Sequence, residues 1–391
     1  MSTDVQALSV SVVSGITKIP AAAWDELVDD DDPFLEHAFL AALEQSRSVG
    51  PGTGWLPRIL VAYRGPKLVG AVPLYEKDDS MGEFIWDFAW AHGASGAGIF
   101  YYLKLVVAIP FFFVISHRLL VHRGEERQRI VPALIKAMRE VADRTRASSI
   151  HVLFCHEEEV QELSAAGFLP RASFQFHWNN RQPSPYRDFD DYLGELRSRI
   201  RKQVRHERAV VADYGLRIVT QSGELLDERA FGALDGFYRS TVDRYGSWPS
   251  LTADFWQQLK RTHPHRLLTV MAYRGDEPVA CTINFKRGDR LCGRYWGSKV
   301  ELPMLHFELC FYSLIDYAIA NGLRSFEGGA GGEQKLKRGL LPTRTHSAHW
   351  IRNPDLRGAI ADYVMREAEA VRAEMDEALR HSPFAQARPR L

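Results

Sequence analysis

The feature that most constrains the fold is a short internal repeat. Ala62-Tyr63-Arg64-Gly65 is followed by three residues and Val69, and Ala272-Tyr273-Arg274-Gly275 is followed by three residues and Val279. An apolar run comes before each copy and another comes after it. Two apolar strands joined by a glycine-containing turn are typical of a β-hairpin. Two hairpins of the same spacing in distant parts of the chain predict an internally duplicated protein.

The elements that follow the two hairpins repeat in the same order. We predict a further strand at 83–90 in the first half and at 290–297 in the second. A helix with Ile130, Leu134, Met138 and Val141 on one face then leads into a strand at 150–154, and a helix at 307–320 leads into a strand at 324–327. The order hairpin, strand, helix, strand, found twice, predicts an α/β fold.

The chain length and a proline-containing linker predict two domains. The chain has 391 residues, more than a single hydrophobic core usually organises. A helix at 157–167 and an aromatic strand at 174–178 complete the first half, and Pro183-Ser184-Pro185 has the character of a linker. We therefore predict an N-terminal domain at 1–182 and a C-terminal domain at 183–391, which includes a basic helix and a helical tail.

Charge and cysteine content exclude several classes of protein. The 49 basic and 49 acidic side chains cancel, so attraction to nucleic acid or to a membrane requires a local patch. The four cysteines form no CxxC pair, which argues against a disulfide framework and a zinc site and favours the cytoplasm. His346 and His349 have no third ligand near them in the sequence, so we predict no metal.

One apolar run, 99–115, requires an interpretation of its own. Lys104 and Pro110 interrupt it, and it is shorter than the roughly 20 residues of a membrane-spanning helix. We predict buried core here. The alternative is an element that lies on a membrane surface.

A glycine-rich segment at 326–339 carries the strongest chemical signal. Its glycines allow the backbone to approach a ligand closely, and Lys335, Lys337 and Arg338 follow them. Backbone N–H groups and cations together suit a phosphate or a developing oxyanion. The alternative is a surface turn with a solvated basic end.

A second basic segment lies early in the second half. Arg197, Arg201, Arg205 and Arg208 are three or four residues apart and so share one face of a helix, next to Lys202. Such a face neutralises phosphates without reading bases. The alternative is a solvated helix whose arginines pair with the acidic residues just before it, namely Asp188, Asp190, Asp191 and Glu195.

These motifs resemble the Fem-like branch of the GNAT superfamily, the bacterial predicted N-acyltransferases of peptidoglycan biosynthesis or recognition. The similar segments are 33–40, 51–55, 293–297, 305–310 and 346–350. The resemblance implies two tandem GNAT-like domains, each a mixed, mostly antiparallel sheet flanked by helices. It also implies an enzyme that moves an aminoacyl group from aminoacyl-tRNA to an amine, with no cofactor beyond that co-substrate.

The resemblance also implies roles for residues. The family signature is a strand that ends in a glycine pair, followed by an aromatic-Lys-Lys/Arg-Gly-aromatic segment; here 326–329 fits the first part, and 336–340 fits the second with leucines in place of both aromatics. On this match Lys337, with Lys335 close behind, assists acyl transfer, and Glu308 or Glu327 orients the incoming ammonium. The predicted donor and acceptor pocket contains Arg294, Tyr295, Trp296, His306, Gly328, Gly329 and Arg338. The predicted tRNA-phosphate contacts are Arg197, Arg201, Lys202, Arg205 and Arg208.

Two other functions remain open. An acyl-CoA-dependent N-acyltransferase needs a pyrophosphate loop, for which 93–98 is the best candidate, although Gly93 stands where the GNAT motif has Arg or Gln. A non-catalytic module that binds a peptide or glycan is the third possibility. For the enzyme, the acceptor is the amine of a small molecule, a natural product or a cell-wall precursor.

Overall fold

The computed structural model of the protein describes residues 7–244, 246 and 248–385. By their internal contacts the residues form two compact units. The first unit consists of Met1–Ser173 with Thr345–Val371, and the second of Phe174–Arg344 with Arg372–Leu391.

The strands in chain order are β1 (Leu8–Val13), β2 (Leu56–Pro57), β3 (Ile59–Arg64), β4 (Lys67–Val72), β5 (Leu74–Lys77), β6 (Lys104–Val107), β7 (Leu120–Val121), β8 (Ser149–Cys155), β9 (Leu169–Asn179), β10 (Arg217–Ser222), β11 (Leu267–Arg274), β12 (Glu277–Arg287), β13 (Arg290–Ser298), β14 (Ser325–Glu327) and β15 (Leu341–Ile351). The helices are α1 (Ala21–Asp25), α2 (His37–Gln45), α3 (Phe88–Gly96), α4 (Arg127–Thr145), α5 (Glu157–Ala165), α6 (Phe189–Glu195), α7 (Ser198–Ala212), α8 (Glu228–Arg244), α9 (Ala253–Thr262), α10 (Leu305–Phe307), α11 (Ser313–Ala320), α12 (Glu333–Leu336) and α13 (Pro354–Arg380). A π-helical turn, Glu308–Tyr312, joins α10 to α11.

The first unit contains two groups of strands. One has the order β1-β3-β4-β7, and the other has the order β2-β5-β6-β8-β15. The β6–β8 pair is parallel, and the pairs β2–β5, β5–β6 and β8–β15 are antiparallel. Helix α4 packs its buried residues Ile130, Leu134, Met138 and Val141 into the core of this unit, as the periodicity predicts.

The second unit has strands in the order β10-β11-β12-β13-β14-β9. The β13–β14 pair is parallel, and the pairs on either side of it are antiparallel. Leu291, Phe326, Trp178 and Phe176 from three neighbouring strands belong to its buried core.

The duplication predicted from the repeat is visible in both units. Hairpins β3–β4 and β11–β12 have a shift in register at the same place, between Ala62 and Tyr63 and between Ala272 and Tyr273. A run of antiparallel, parallel and antiparallel pairs also occurs twice, as β5-β6-β8-β15 and as β12-β13-β14-β9. The predicted fold class, an α/β protein with two mixed, mostly antiparallel sheets flanked by helices, is confirmed.

Each unit contains one strand from the other half of the sequence. Residues 177–179 of β9 pair with β14 in the second unit, and residues 346–351 of β15 pair with β8 in the first. The compact units therefore differ from the predicted division at residue 182. Residues 345–371 group with the first unit because of the β8–β15 pairing and because α13 packs against α3 through Ile360, Val364 and Trp90.

The predicted strand at 83–90 is wrong. Glu83, Ile85 and Asp87 are buried while Phe84, Trp86 and Phe88 are exposed, so the alternation typical of a strand is present, but 83–87 has no strand partner and α3 begins at Phe88. The inward carboxylates pair with Lys104 of β6 instead of packing against a second sheet. The proposed pyrophosphate loop is also wrong, since residues 93–96 belong to α3.

Other predicted elements are confirmed. The run at 99–115 contributes buried core through β6, where Leu105, Val106 and Val107 are inaccessible, although Phe100 and Tyr102 are exposed. The helix predicted at 157–167 is α5, and the helical tail is α13. In the described part of the chain, no helix has the length and apolar character needed to cross a membrane.

Candidate active site

A glycine pair carries the chain out of the second unit's sheet. The Gly328 N–H donates to the Phe176 carbonyl at 2.9 Å, and the Phe176 N–H donates to the Gly329 carbonyl at 3.0 Å. A Cβ on Gly328 would lie 2.4 Å from Leu340 Cδ2, and Gly329 has a φ of 76°. Both positions therefore require glycine for close packing or for backbone conformation.

Lys335 lies just beyond this pair, on the short helix α12. Its Nζ donates to the Ala330 carbonyl at 2.6 Å, and its side chain is partly buried. Burial lowers the pKa of Lys335 to about 8; the Arg294 cation adds to the lowering, and the nearby Cys310 thiol opposes it. Near neutral pH, Lys335 is thus a cation that releases its proton more easily than an ordinary lysine.

Glu327, at the end of β14, is a buried carboxylate that binds two arginines. It pairs with Arg290 and, at 3.3 Å, with Arg294 Nη2, and it is in register with His177 of β9. Burial alone would raise the pKa of Glu327, but Arg290, His177 and Arg294 outweigh burial and hold it at about 2. The carboxylate therefore stays charged near neutral pH, where it pairs with both arginines.

Arg294 lies at an irregularity in the sheet. The pairing of β12 with β13 shifts register between Ile283 and Asn284, so that Arg294 lies between two regularly paired residues of β13. Its side chain is almost fully buried, and Nη1 donates to the Gly293 carbonyl at 2.6 Å. This buried cation lies beside Glu327 and Lys335.

His177 completes this group. It is buried, and its Nε2 lies 3.2 Å from Gln175 Oε1. Burial lowers the pKa of His177 to about 4; the Glu327 carboxylate opposes this shift, and Arg290, Arg294 and Lys335 add to it. We call Lys335, Glu327, Arg290, Arg294 and His177 the Lys335 cluster. Its imidazole is neutral near neutral pH.

Arg338 and Lys337, which flank the cluster in sequence, have different environments. Arg338 is buried: its Nη2 donates to Glu207 at 2.7 Å, and its guanidinium lies 3.4 Å from the centre of the Phe307 ring. The Tyr312 hydroxyl donates to the same Glu207 carboxylate. Arg338, predicted in the pocket, thus anchors α12 to α7, whereas Lys337 is exposed.

Glu308 lies in a separate groove. Its Oε1 is 3.1 Å from Arg208 Nη2 and accepts from Ser313 Oγ at 3.1 Å. Burial raises the pKa of Glu308, and Arg208 limits the rise. The groove has a volume of about 740 Å³ and is lined by α7, β10 and α11. Glu308 and Glu327, predicted to share a role, thus have different partners.

The three aromatic residues predicted in the pocket also lie in different environments. Tyr295 packs edge-on against Tyr238, with ring centres 4.9 Å apart, and belongs to the interior. Trp296 lies 5.2 Å from the ring of His306, which is at the surface. Although His306 is exposed as a residue, its ring packs against Trp296 and Phe311, and this desolvation, together with the cations Arg338 and Lys335, lowers the pKa of His306 to about 4.

The basic helix is confirmed as α7, but its arginines do not present one free face. Arg208 turns inward to Glu308 and Asp316, and Arg205 pairs with Asp190 at 3.1 Å, as the alternative interpretation expects. Arg197 donates to the Phe384 carbonyl, and Lys202 is exposed. Arg201 is partly exposed.

Sequence reasoning missed Arg290 and the pairing that places His177 opposite Glu327. The spacing Arg290-x-Cys292-x-Arg294 puts both arginines on one face of a strand, which is a signal that a second strand with a buried acid lies beside it. Within 7–244, 246 and 248–385, no group of three or more His, Cys, Asp and Glu is placed to hold a metal ion.

Solved structures with a similar fold were found by comparison with the whole chain. FemX superposes with a TM-score of 0.52 at 12% identity, covering 90% of this chain and 100% of FemX. A conserved protein of unknown function from Bacteroides thetaiotaomicron VPI-5482 gives 0.50 at 11% identity over 88% of this chain and 100% of that one. A tandem GNAT protein from the clavulanic acid biosynthesis pathway gives 0.43 at 14% identity, covering 89% and 99% of the two chains. No curated protein matches this sequence.

A family model decides the assignment. It covers residues 15–386, nearly the whole chain, and describes FemAB-like proteins of peptidoglycan biosynthesis or recognition. The predicted resemblance to Fem-like N-acyltransferases is thereby confirmed, and membership supports a transferase with a role in acyl or aminoacyl transfer. The chain belongs to the FemAB-like family.

Proposed function

We propose that the protein transfers an aminoacyl group from aminoacyl-tRNA to an amine of a small molecule, a natural product or a cell-wall precursor. The observation that carries this proposal is the Lys335 cluster, in which a lysine of lowered pKa lies beside a glycine pair and two buried arginines. Membership of the FemAB-like family supports the same class of reaction.

The proposed chemistry is simple because the donor ester is already activated. The amine nitrogen attacks the ester carbonyl carbon, the C–N bond forms, and the C–O bond to the terminal ribose breaks. The Lys335 ammonium stabilises the tetrahedral oxyanion and gives its proton to the departing ribose oxygen, then regains a proton from the amine nitrogen. A pKa of about 8 suits a group that must both give and take a proton near neutral pH.

Within this proposal Lys335 takes precedence over Lys337. The family match favours Lys337, but the side chain of Lys337 is exposed, whereas that of Lys335 lies beside Arg294. Glu327 holds Arg290 and Arg294 in position and so fixes the charge around Lys335. Lys337 then contributes as an exposed cation that attracts the polyanionic donor.

Two observations favour tRNA over coenzyme A as the donor. The best candidate for a pyrophosphate loop, 93–98, is largely helical. Exposed cations in α7 and just before it offer contacts to phosphates; these are Arg197, Lys202 and Arg205, with Arg201 partly exposed. Arg208 is left out of this role because it pairs with Glu308. A tRNA donor and four free thiols suit the cytoplasm, where we propose the protein acts.

The donor can be identified directly. Purified protein is incubated with a panel of amines and either tRNA charged with a mixture of radiolabelled amino acids or radiolabelled acetyl-CoA. We expect label to move from tRNA to an amine and not from acetyl-CoA, with uncharged tRNA as a competitor. Transfer from acetyl-CoA alone would replace the proposal with the acyl-CoA alternative, and no transfer from either donor would favour the non-catalytic binding module.

A further inference from the structure

Exposed apolar side chains are concentrated in one part of the first unit. Within the described residues, eleven large hydrophobic side chains are exposed, and six of them lie between residues 81 and 102. These six, which we call the aromatic patch, are Met81, Phe84, Trp86, Phe88, Phe100 and Tyr102. Patches of this kind on a protein surface mark a binding site more often than chance exposure.

Several members of the patch touch one another. Trp86 stacks on Phe88 with ring centres 5.3 Å apart, and Phe84 lies 5.8 Å from Trp86. Phe84 also packs against Phe113 at 4.7 Å. Phe84, Trp86 and Phe88 therefore form a joined surface, and the contact of the Tyr102 hydroxyl with Ser80 Oγ at 2.9 Å brings Tyr102 close to the residue that precedes Met81.

The surrounding backbone is held firmly while the rings face outward. From residue 81 to 103 the acidic side chains are Glu83 and Asp87; both are buried, and both pair with the buried Lys104 amine, at 2.9 and 2.6 Å. The same stretch has no lysine or arginine. Inward carboxylates thus direct Phe84, Trp86 and Phe88 to solvent, and residues 81–103 expose no Asp, Glu, Lys or Arg side chain.

The shape of the aromatic patch favours a deformable binding partner over one with preformed pockets. Phe100 is 90% exposed and Met81 55% exposed, so these side chains project from the surface. Two open grooves of the first unit lie elsewhere, one between α4 and α5 and one between β1 and α4. A protein partner would need pockets matched to each projecting ring, whereas the boundary between headgroups and acyl chains accepts Phe, Trp and Tyr without such matching.

We propose that the aromatic patch binds the surface of a lipid bilayer, with Phe100 and Met81 inserted at headgroup level. The binding is peripheral and requires no spanning helix. Because residues 81–103 expose no Asp, Glu, Lys or Arg side chain, the binding depends on apolar insertion more than on salt concentration. This inference goes beyond the proposed function and stands apart from it: it concerns where the protein resides while it acts on its acceptor.

Sedimentation with extruded vesicles tests the proposal. The full chain is mixed with vesicles of phosphatidylethanolamine and phosphatidylglycerol, and of phosphatidylcholine alone, at low and high salt. The patch variant carries Met81→Ser and Phe100→Ser. The matched control carries Leu225→Ser and Trp248→Ser, because these side chains are 73% and 90% exposed and belong to the second unit. Thermal unfolding confirms that both variants are folded.

We expect the wild type and the control to sediment with vesicles at both salt concentrations. The affinity of the patch variant for vesicles should fall by about tenfold or more. Failure of the wild type to bind any vesicle, or an equal loss in the control, would overturn the proposal. If the wild type self-associates without binding vesicles and the patch variant is monomeric, the proposal is also wrong, and the patch binds a second copy of this chain instead. Transfer to a water-soluble amine should be unchanged in the patch variant, so the two proposals fail separately.

Discussion

At the scale of single residues, the second unit places two ionisable side chains of opposite behaviour close together. Glu327 is kept charged by its arginines, with a pKa of about 2, while Lys335 is pushed toward neutrality, with a pKa of about 8. Sequence reasoning found both residues from the glycine-rich motif. It ranked Lys335 behind Lys337 and gave Glu327 or Glu308 the task of orienting an ammonium, because Arg290 and His177, the partners that set the environment of Glu327, lie on strands distant in sequence.

Replacing Glu327 with Gln should destabilise the protein by about 3–5 kcal/mol, because two buried arginines lose their carboxylate. The free energy of unfolding is measured in urea, with Glu333→Gln, an exposed change on α12, as a control expected within about 0.5 kcal/mol of wild type. Since folding lowers the pKa of Glu327, its contribution is present above the unfolded pKa near 4.5 and is lost as the pH falls toward 2. An equal loss at pH 7 and pH 2 would refute this assignment.

The pH dependence of transfer tests the role of Lys335. If its protonated form is required, single-turnover transfer should fall as the pH rises above about 8. Lys335→Arg keeps the charge at all accessible pH values, so this variant should retain some activity and lose the falling limb. The same falling limb in both proteins would assign the titration to another group.

At the scale of elements, helix periodicity predicted α4, α5, α7 and α13, while α3 was missed. The alternation of Glu83 to Phe88 imitates a strand, and the glycines of α3 imitate a loop. Helix α3 forms nevertheless because Trp90 and Ala94 pack against α13, a contact with residues far along the chain that no local pattern reveals. Arg338 likewise joins α12 to α7 through Glu207 and Tyr312.

Replacing Arg338 with Met should destabilise the protein by about 3–5 kcal/mol, because Glu207 is left buried without its cation. Lys337→Met, one residue away and exposed, is the control and should change stability by less than about 0.5 kcal/mol. A double-mutant cycle with Glu207→Gln measures the coupling. A coupling near zero would show that the buried pair does not hold α12 on α7.

At the scale of the whole molecule, the repeat predicted the duplicated fold, but not the exchange of strands. Strand β9 follows the helices of the first half yet pairs with β14, and β15 follows β14 yet pairs with β8. Pairing between strands so far apart in sequence produces no local sequence pattern. The predicted domain boundary at residue 182 was therefore based on the proline-containing linker and not on strand pairing.

The exchange predicts that fragments 1–182 and 183–391 will not fold separately. Fragment 1–182 lacks β15, the partner of β8, and fragment 183–391 lacks β9, the partner of β14. Each fragment would therefore have a strand with an open edge. Circular dichroism should show no cooperative unfolding for either fragment alone, and co-expression should recover a folded complex. Cooperative unfolding of fragment 1–182 alone would contradict this account.

The most direct test of the central claim compares Lys335→Met with Lys337→Met in single-turnover transfer from radiolabelled aminoacyl-tRNA to an accepted amine. Removing a group that stabilises the transition state typically costs about 100-fold or more. The account predicts such a loss for Lys335→Met, unchanged folding in both variants, and a loss for Lys337→Met that shrinks at saturating tRNA. Full activity in Lys335→Met would contradict it.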